Sequence, residues 1–194
     1  MSFTILLQKM ISENQEKTRM NFTFDPFPEI ITTRLKLRDY CEDDYTQVLF
    51  LRSDIEVNKY IKRDHPKVLE DAIAFVKKVQ RSMQNGENVN WAICQKDKPK
   101  MMGSICLWNF SKDLKTGEVG YDLHPKYQNK GIMNEALQAV LTFGFDVLKL
   151  DRIKAYTHHS NENSKNLLTK NGFVLLTDEK DPDNENNVIF CKKI

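Results

Sequence analysis

Between Gly117 and Ala136 a strand pattern runs into a short polar loop, and the loop opens directly into an amphipathic helix. No other stretch limits the fold as tightly. Val119, Tyr121 and Leu123 alternate with Glu118, Gly120 and Asp122, the period of a strand with two unlike faces. Pro125 ends that strand, since it has no N–H to give a ladder. Beyond the loop, Ile132, Met133, Ala136, Leu137, Val140, Leu141, Gly144 and Leu148 recur at helical spacing, which predicts a helix from about Gly131 to Lys149. The first turn of a helix carries unpaired N–H groups and a partial positive charge. Gln128, Asn129, Lys130, Gly131, Ile132 and Met133 therefore read as a cradle for the pyrophosphate of a cofactor, held mainly by main chain, with Lys130 or Lys126 adding charge. Gly131 would let such a ligand approach closely.

The rest of the chain alternates in the same way. Strands are expected at 31–39, 89–95, 101–110, 152–158, 172–177 and 187–193, with helices near 42–53, 67–84 and 162–170. Trp91-Ala92-Ile93-Cys94, then Lys96-Asp97-Lys98-Pro99, then Met102-Gly103-Ser104-Ile105 read as a hairpin with its turn. The pattern is that of an α/β sandwich. The 194 residues, 40% of them hydrophobic, suffice for one core. Residues 1–20 read as an N-terminal extension and 21–194 as a single domain, with Pro26-Phe27-Pro28 leading into the first strand.

Several function classes find no support. A net charge of +2 with 29% charged residues describes a mixed surface, which implies neither nucleic acid nor an anionic membrane as partner. Phe3 to Leu7 is an apolar run too soon interrupted, by Gln8 and Lys9, for a signal sequence or a membrane span, so a cytoplasmic protein is expected. Cys41, Cys94, Cys106 and Cys191 lack paired ligand spacing and read as reduced packing residues. His158 and His159, adjacent at a strand end, are expected to point to opposite faces, with no carboxylate or cysteine nearby to complete a metal site. His65 and His124 read as isolated loop or strand-end groups.

Gln128-Asn129-Lys130-Gly131-Ile132-Met133 resembles the acetyl-CoA loop, Gln/Arg-x-x-Gly-x-Gly/Ala, of the GNAT N-acetyltransferases, with Met133 in place of the small residue. A Gly-Ile-Met-x-Glu-Ala version is similar to the branch of the ribosomal-protein N-terminal (alanine) acetyltransferases. Three further matches follow that branch in order. Ile31-Thr32-Thr33-Arg34-Leu35-Lys36-Leu37-Arg38 resembles its opening strand, with Thr33 where Glu is usual. Gly117-Glu118-Val119-Gly120-Tyr121 resembles the strand before the cofactor loop, and Asn161 to Phe173 resembles its Asn-x-x-Ser helix and the strand start that follows. The resemblance spans residues 30 to 193. It implies the GNAT fold, a mixed central sheet of about seven strands flanked by about four helices.

The implied reaction moves acetyl from acetyl-CoA to an amine, in a ternary complex, releasing CoA. The amine must attack as neutral –NH₂. An α-amino terminus near pKa ~7.8 is roughly a tenth neutral at pH 7, a lysine near ~10.4 only about one part in a few thousand. On this resemblance Glu118 is the general base, and Val119, Gly120 and Tyr121 run along the cofactor, with the N–H group of Val119 or Gly120 expected to polarise the carbonyl. Many GNAT enzymes carry a proton-donating tyrosine seven residues after the helix-opening Asn, but that position here is Leu168. Ser164 then takes the acid role or hydrogen-bonds the sulfur, and Asn161 contacts the pantetheine amide. The plainer alternatives are a solvated Glu118, an Asn161 that only caps its helix and a Ser164 that only fills its first turn. The segment Ser53 to Lys67, with Tyr60 and His65, is an expected acceptor wall; the acidic run Asp178 to Glu185 reads first as a solvated hairpin loop, although the resemblance implies a place for it beside the acceptor entrance, where it would attract a cationic amine. The leading acceptor is the α-amine of a protein or peptide. A small-molecule amine is the alternative within the same chemistry, and a CoA-binding sensor without turnover the alternative outside it. Either a monomer or a homodimer is compatible with the chain.

Overall fold

The computed structural model describes residues 24–194, so the extension expected at 1–20 lies outside the described residues. The described part opens with a hairpin. Ile30–Ile31 (β1) pairs antiparallel with Leu35–Arg38 (β2). The unbroken strand expected at 31–39 is therefore interrupted, because the Leu35 N–H donates to the Thr32 hydroxyl oxygen at 2.9 Å while the Thr32 N–H donates to the Leu35 carbonyl at 2.9 Å. A threonine hydroxyl that bonds its own backbone offers the chain a turn in place of a ladder.

A 3₁₀ turn, Glu42–Asp44, leads into Tyr45–Ser53 (α1), followed by Ile55–Asn58 (α2) and Leu69–Gln84 (α3). Val89–Gln95 (β3), Lys98–Trp108 (β4) and Thr116–Leu123 (β5) form an antiparallel meander. Ile132–Thr142 (α4), Arg152–His158 (β6), Glu162–Lys170 (α5), Val174–Leu176 (β7) and Asn187–Lys193 (β8) complete the chain. One sheet results, in the order β1-β2-β3-β4-β5-β6-β8-β7. Among the described residues there is one strand more than expected because the first strand is broken, and one helix more because Asp54 caps the short α2 through the Val57 N–H at 2.9 Å.

The expected helix to Lys149 also changes character. The α-helix stops at Thr142, and Phe143–Val147 continues as a π turn in which the Leu148 N–H reaches the Phe143 carbonyl at 3.1 Å. Here the helix lies tight against the sheet, since a Cβ on Gly144 would lie 2.7 Å from Ile153 Cδ1.

The alternation in the strands sorts into two cores. Trp91, Ile93, Leu107, Val119 and Ile153 point to the face covered by α4 and α5. Ala92, Cys94 and Met101 point to the face covered by α1 and α3, against Val48, Leu51 and Val76. The buried Trp91 donates its indole N–H to the Pro28 carbonyl at 2.8 Å, which pins the proline-rich lead-in to the sheet. On the other face the buried Asp44 accepts from Arg38 at 2.6 and 2.9 Å and from the Cys41 N–H at 2.9 Å, tying β2 to the start of α1.

β5 and β6 are the one parallel pair among the described strands, and they share three rungs: Thr116 with Arg152, Gly117 with Ile153 and Glu118 with Lys154. Beyond Glu118 the two strands part. β5 stays paired to β4 as far as Leu123, and β6 stays paired to β8 as far as His158, so each follows its outer neighbour. The inner edges of Val119–Leu123 and Ala155–His158 face a gap in the sheet. No helix among the described residues is long and apolar enough to cross a membrane.

The β4–β5 register that carries this strand can be tested at Gly103, where an added Cβ would sit 2.3 Å from the Asp122 carbonyl oxygen. That atom is ladder backbone and cannot rotate away. Gly103→Ala is expected to lower stability in urea unfolding by at least the roughly 1–3 kcal/mol of an overpacked site; an unchanged midpoint would contradict the register.

Candidate active site

The loop between β5 and α4 is braced before it reaches the helix. Pro125–Tyr127 forms a 3₁₀ turn capped by His124, whose ring accepts from the Lys126 N–H at 3.2 Å and stacks on Phe50 at 4.4 Å. Gln128 donates its main-chain N–H to the Pro125 carbonyl at 3.1 Å and its side-chain amide to the Leu123 carbonyl at 3.0 Å. It therefore holds the neck of the loop rather than facing out of it. Asn129 and Gly131 are left-handed, with φ of 57° and 71°. At Gly131 glycine is what that conformation favours. Ile132, Met133 and Asn134 open α4, so their N–H groups have no carbonyl one turn earlier to bond. Lys130 folds back, its ammonium donating to the Lys126 carbonyl at 2.6 Å.

A clamp from the first hairpin sets the direction of the loop. Glu135 accepts from the Thr32 hydroxyl at 2.6 Å and the Arg34 N–H at 2.8 Å through one oxygen, and from Arg34 Nε at 2.5 Å through the other. The two terminal nitrogens of Arg34 donate to the Lys130 and Gly131 carbonyls, each at 3.1 Å. In a trans peptide the carbonyl and the next N–H point oppositely, so the Gly131 and Ile132 N–H groups are turned away from the hairpin. Burial pushes the Glu135 carboxyl up, but the hydrogen bonds from Thr32 and Arg34 outweigh it and hold it below its ordinary value.

A cleft of about 430 Å³ opens between this loop, the outer half of β5, the start of α5 and the segment Glu56 to Ile61. Tyr121, Gln128, Asn129, Gly131, Ile132, Met133, Asn161 and Ser164 line it. Asn161 caps α5, its side-chain oxygen accepting from the Ser164 N–H at 3.2 Å. The Tyr121 and Ser164 hydroxyl oxygens lie 2.8 Å apart, and burial pushes the phenol up to about 12 although the Ser164 contact opposes it.

Glu118 sits apart from that cleft, on the opposite face, at the last rung before the strands part. It is half-buried, and Asn109 donates to it at 2.7 Å. Burial raises its pKa; the Asn109 hydrogen bond opposes this, Asp181 adds to it and Lys154 opposes it, with a net rise. The same surroundings push up Tyr156, through burial and then Glu118, Asp181 and Glu179. Four residues along the same strand, Asp122 accepts from both terminal nitrogens of Arg63 at 3.2 Å and from the Ser104 hydroxyl at 2.7 Å. Arg63 also reaches the Asn58 side chain at 2.6 Å and the Leu51 carbonyl at 2.9 Å. The segment 53–67 is thereby anchored to β5.

Of the acceptor walls expected from sequence, Tyr60 comes to the gap, its ring 5.4 Å from His158. His65 does not: it is exposed and its ring meets the Arg52 carbonyl at 3.0 Å. Lys62 donates to the Asp183 carbonyl at 3.1 Å and so joins that segment to the acidic loop. Within the loop Glu179 pairs with Lys154, and Asp181 accepts from the Asn187 side chain at 2.7 Å. The two adjacent histidines stack, 4.5 Å apart, instead of pointing to opposite faces, because β6 ends at His158 and strand alternation does not extend to His159. Among the described residues no group of three or more histidine, cysteine, aspartate or glutamate side chains is placed to hold a metal ion. All four cysteines are free. Arg34, Glu135, Asn109 and the Tyr121 hydroxyl had no role in the sequence reading; Arg34 and Glu135 are 101 positions apart, and no local pattern links them.

A sheet split in this way lets two ligands meet through it from opposite faces, which suits a group transferase. Residues 34–174 match the Acetyltransferase (GNAT) domain family, and the chain belongs to that family. It is an acetyl-CoA-dependent N-acetyltransferase. The uncharacterized N-acetyltransferase YnaD of Bacillus subtilis is 34% identical over 144 residues, 74% of this chain and 81% of YnaD. A GNAT-family acetyltransferase structure from Bacillus anthracis aligns with a TM-score of 0.73 and 27% identity, covering 86% of this chain and 98% of that one. RimL, a ribosomal L7/L12 alpha-N-protein acetyltransferase solved in complex with coenzyme A, shares the fold with a TM-score of 0.73 at 21% identity, over 86% of this chain and 98% of its own.

The clamp has a consequence that needs no ligand. Arg34 is half-exposed, so its ion pair contributes only about 0–1 kcal/mol to global stability. Arg34→Ala is expected to leave thermal unfolding nearly unchanged while speeding hydrogen exchange at the 129–132 amides. Equal exchange in both proteins would show that the loop holds itself.

Proposed function

We propose that this enzyme acetylates the N-terminal α-amine of a protein or peptide by direct transfer from acetyl-CoA. The observation that carries this reading is the gap beyond the Glu118–Lys154 rung, with the helix start and its loop on one face and Glu118 on the other. The left-handed loop and the opening N–H groups of α4 suit the pyrophosphate, and the inner edge of β5 suits the pantetheine amides. Bound there, the thioester would supply the acetyl group and its thiolate the leaving group. Val119, whose main chain faces that edge while Gly120 is laddered to Cys106 of β4, would present its backbone N–H group to the carbonyl oxygen. Glu118 takes the proton of the amine arriving from the α1–α3 face, directly or through water. Asn109 and Lys154 keep enough of it ionised to do so, while burial and Asp181 make it a stronger base than a free glutamate.

An α-amine is the acceptor that asks least of such a carboxylate, since about a tenth of it is neutral near pH 7. Solved proteins of the same fold include RimL and a ribosomal-protein-S5-alanine acetyltransferase from Vibrio fischeri, which supports the same acceptor class. The Lys62 contact with Asp183 narrows the acceptor face and favours, as a second reading, a small-molecule amine.

Calorimetric titration of acetyl-CoA is expected to give micromolar binding to the wild type and none to a folded Gly131→Trp, whose ring would fill the loop. No wild-type binding would sink the proposal. Glu118→Gln is expected to bind acetyl-CoA normally and to lose roughly 10²–10⁴-fold in kcat. Assays on peptides with free and blocked N-termini, lysine, polyamines and aminoglycosides separate the acceptors. Turnover confined to small amines would select the second reading, and tight binding with no turnover anywhere would select a sensor.

The pH dependence follows from the sign of the Glu118 shift. The base works ionised, so kcat is expected to rise with pH through a value above the ~4.3 of a free glutamate. Asn109→Ala removes a hydrogen bond that favours the ionised form, so the rise should move to higher pH. A rise at the wild-type position in Asn109→Ala would remove Glu118 from the proton transfer.

A further inference from the structure

Leu168, the helix position at which the resemblance would place a proton donor, is fully buried in the apolar core and has nothing to donate. The cleft holds another source. Tyr121 and Ser164 both line it, and their hydroxyls bond each other at 2.8 Å. That is the one hydrogen bond recorded for either hydroxyl among the described residues. Two hydroxyls carry two protons, and the bond between them uses one. One O–H therefore remains free to donate.

Its position matters as much as its number. Tyr121 stands three residues beyond Glu118 on the same strand, so the two side chains project to opposite faces of β5. A proton is removed on one side of the gap and negative charge develops on the other, at the loop side, where the phenol lies.

We propose that the Tyr121 hydroxyl, held by Ser164, donates the hydrogen bond that stabilises the departing coenzyme thiolate. This rests on the acetyl-CoA reading above and assigns a residue to it. Of the two hydroxyls the phenol is the more acidic and so the stronger donor to an anion, while Ser164 donates to the phenol oxygen and fixes its direction. The donor does not transfer its proton. With the phenol pushed up to about 12 and a typical thiol near ~8.5, the proton stays on oxygen. As the nitrogen–carbon bond forms, the carbon–sulfur bond breaks and its electron pair goes to sulfur. The amine proton goes to Glu118, and the thiolate leaves hydrogen-bonded and is protonated later by water. No general acid is needed, and Ser164 becomes a positioning residue.

The test titrates the thiol of coenzyme A bound to wild type, Tyr121→Phe and Ser164→Ala, by ultraviolet thiolate absorbance after subtraction of ligand-free protein. In wild type the bound thiol should ionise about one pH unit or more below its position in Tyr121→Phe, with a smaller displacement in Ser164→Ala. In parallel kcat should fall roughly 10–100-fold in Tyr121→Phe with the KM for acetyl-CoA little changed. Identical thiol titration in wild type and Tyr121→Phe would overturn the proposal. If Tyr121→Phe does not fold, Ser164→Ala decides, because an undisplaced thiol there removes the oriented donor. Failure of wild type to bind coenzyme A in calorimetry is a different result and would strike the cofactor reading itself.

Discussion

Everything functional in this structure depends on where the β5–β6 ladder stops. Two parallel strands that paired along their whole length would close the sheet and leave Glu118 and Tyr121 on faces with no passage between them. Here three rungs hold the strands together and the outer neighbours, β4 and β8, pull them apart beyond Glu118. The cost is a set of strand-edge groups without ladder partners, groups that a buried sheet would not tolerate. A ligand with amides of its own is the natural partner for them.

The cofactor side is organised by residues far from it in the chain. The β1–β2 hairpin exists because Thr32 bonds Leu35, and that turn carries Arg34 to Glu135 and to the Lys130 and Gly131 carbonyls. Each contact is exposed and individually weak. Together they orient peptide planes, and orientation is what an anion site made of backbone requires. The acceptor side is built with stronger material. Arg63 and Asp122 form a largely buried pair that also satisfies Asn58 and the Leu51 carbonyl, and removing one partner of such a pair costs about 3–5 kcal/mol. The segment 53–67 is thus a fixed wall, tied by Lys62 to the acidic loop opposite.

Between these sides stand two groups whose pKa values burial raises with different consequences. In Glu118 the rise makes a better base of a residue that must still ionise, and Asn109 and Lys154 limit it. In Tyr121 it makes the phenol a donor that stays protonated. The same physical effect equips one face to accept a proton and the other to hold one.

The alternation of strands and helices was legible in the chain because each element is decided locally, by the spacing of residues such as Val119, Tyr121 and Leu123 or Ala136, Leu137 and Val140. The same holds for the loop at Gly131, whose glycine suits a left-handed turn, and for Asn161, whose side chain caps the helix it precedes. The broken first strand, the π turn at Gly144 and the stacking of His158 on His159 were not legible, because a hydroxyl, a close helix–sheet contact and a strand end override the periodic pattern there. The clamp of Arg34 on Glu135, the bond of Tyr121 to Ser164 and the seat of Glu118 at the mouth of the gap belong to the tertiary structure alone. Each joins residues from separate elements, and the distance between them is set by how the sheet splits rather than by any spacing along the chain.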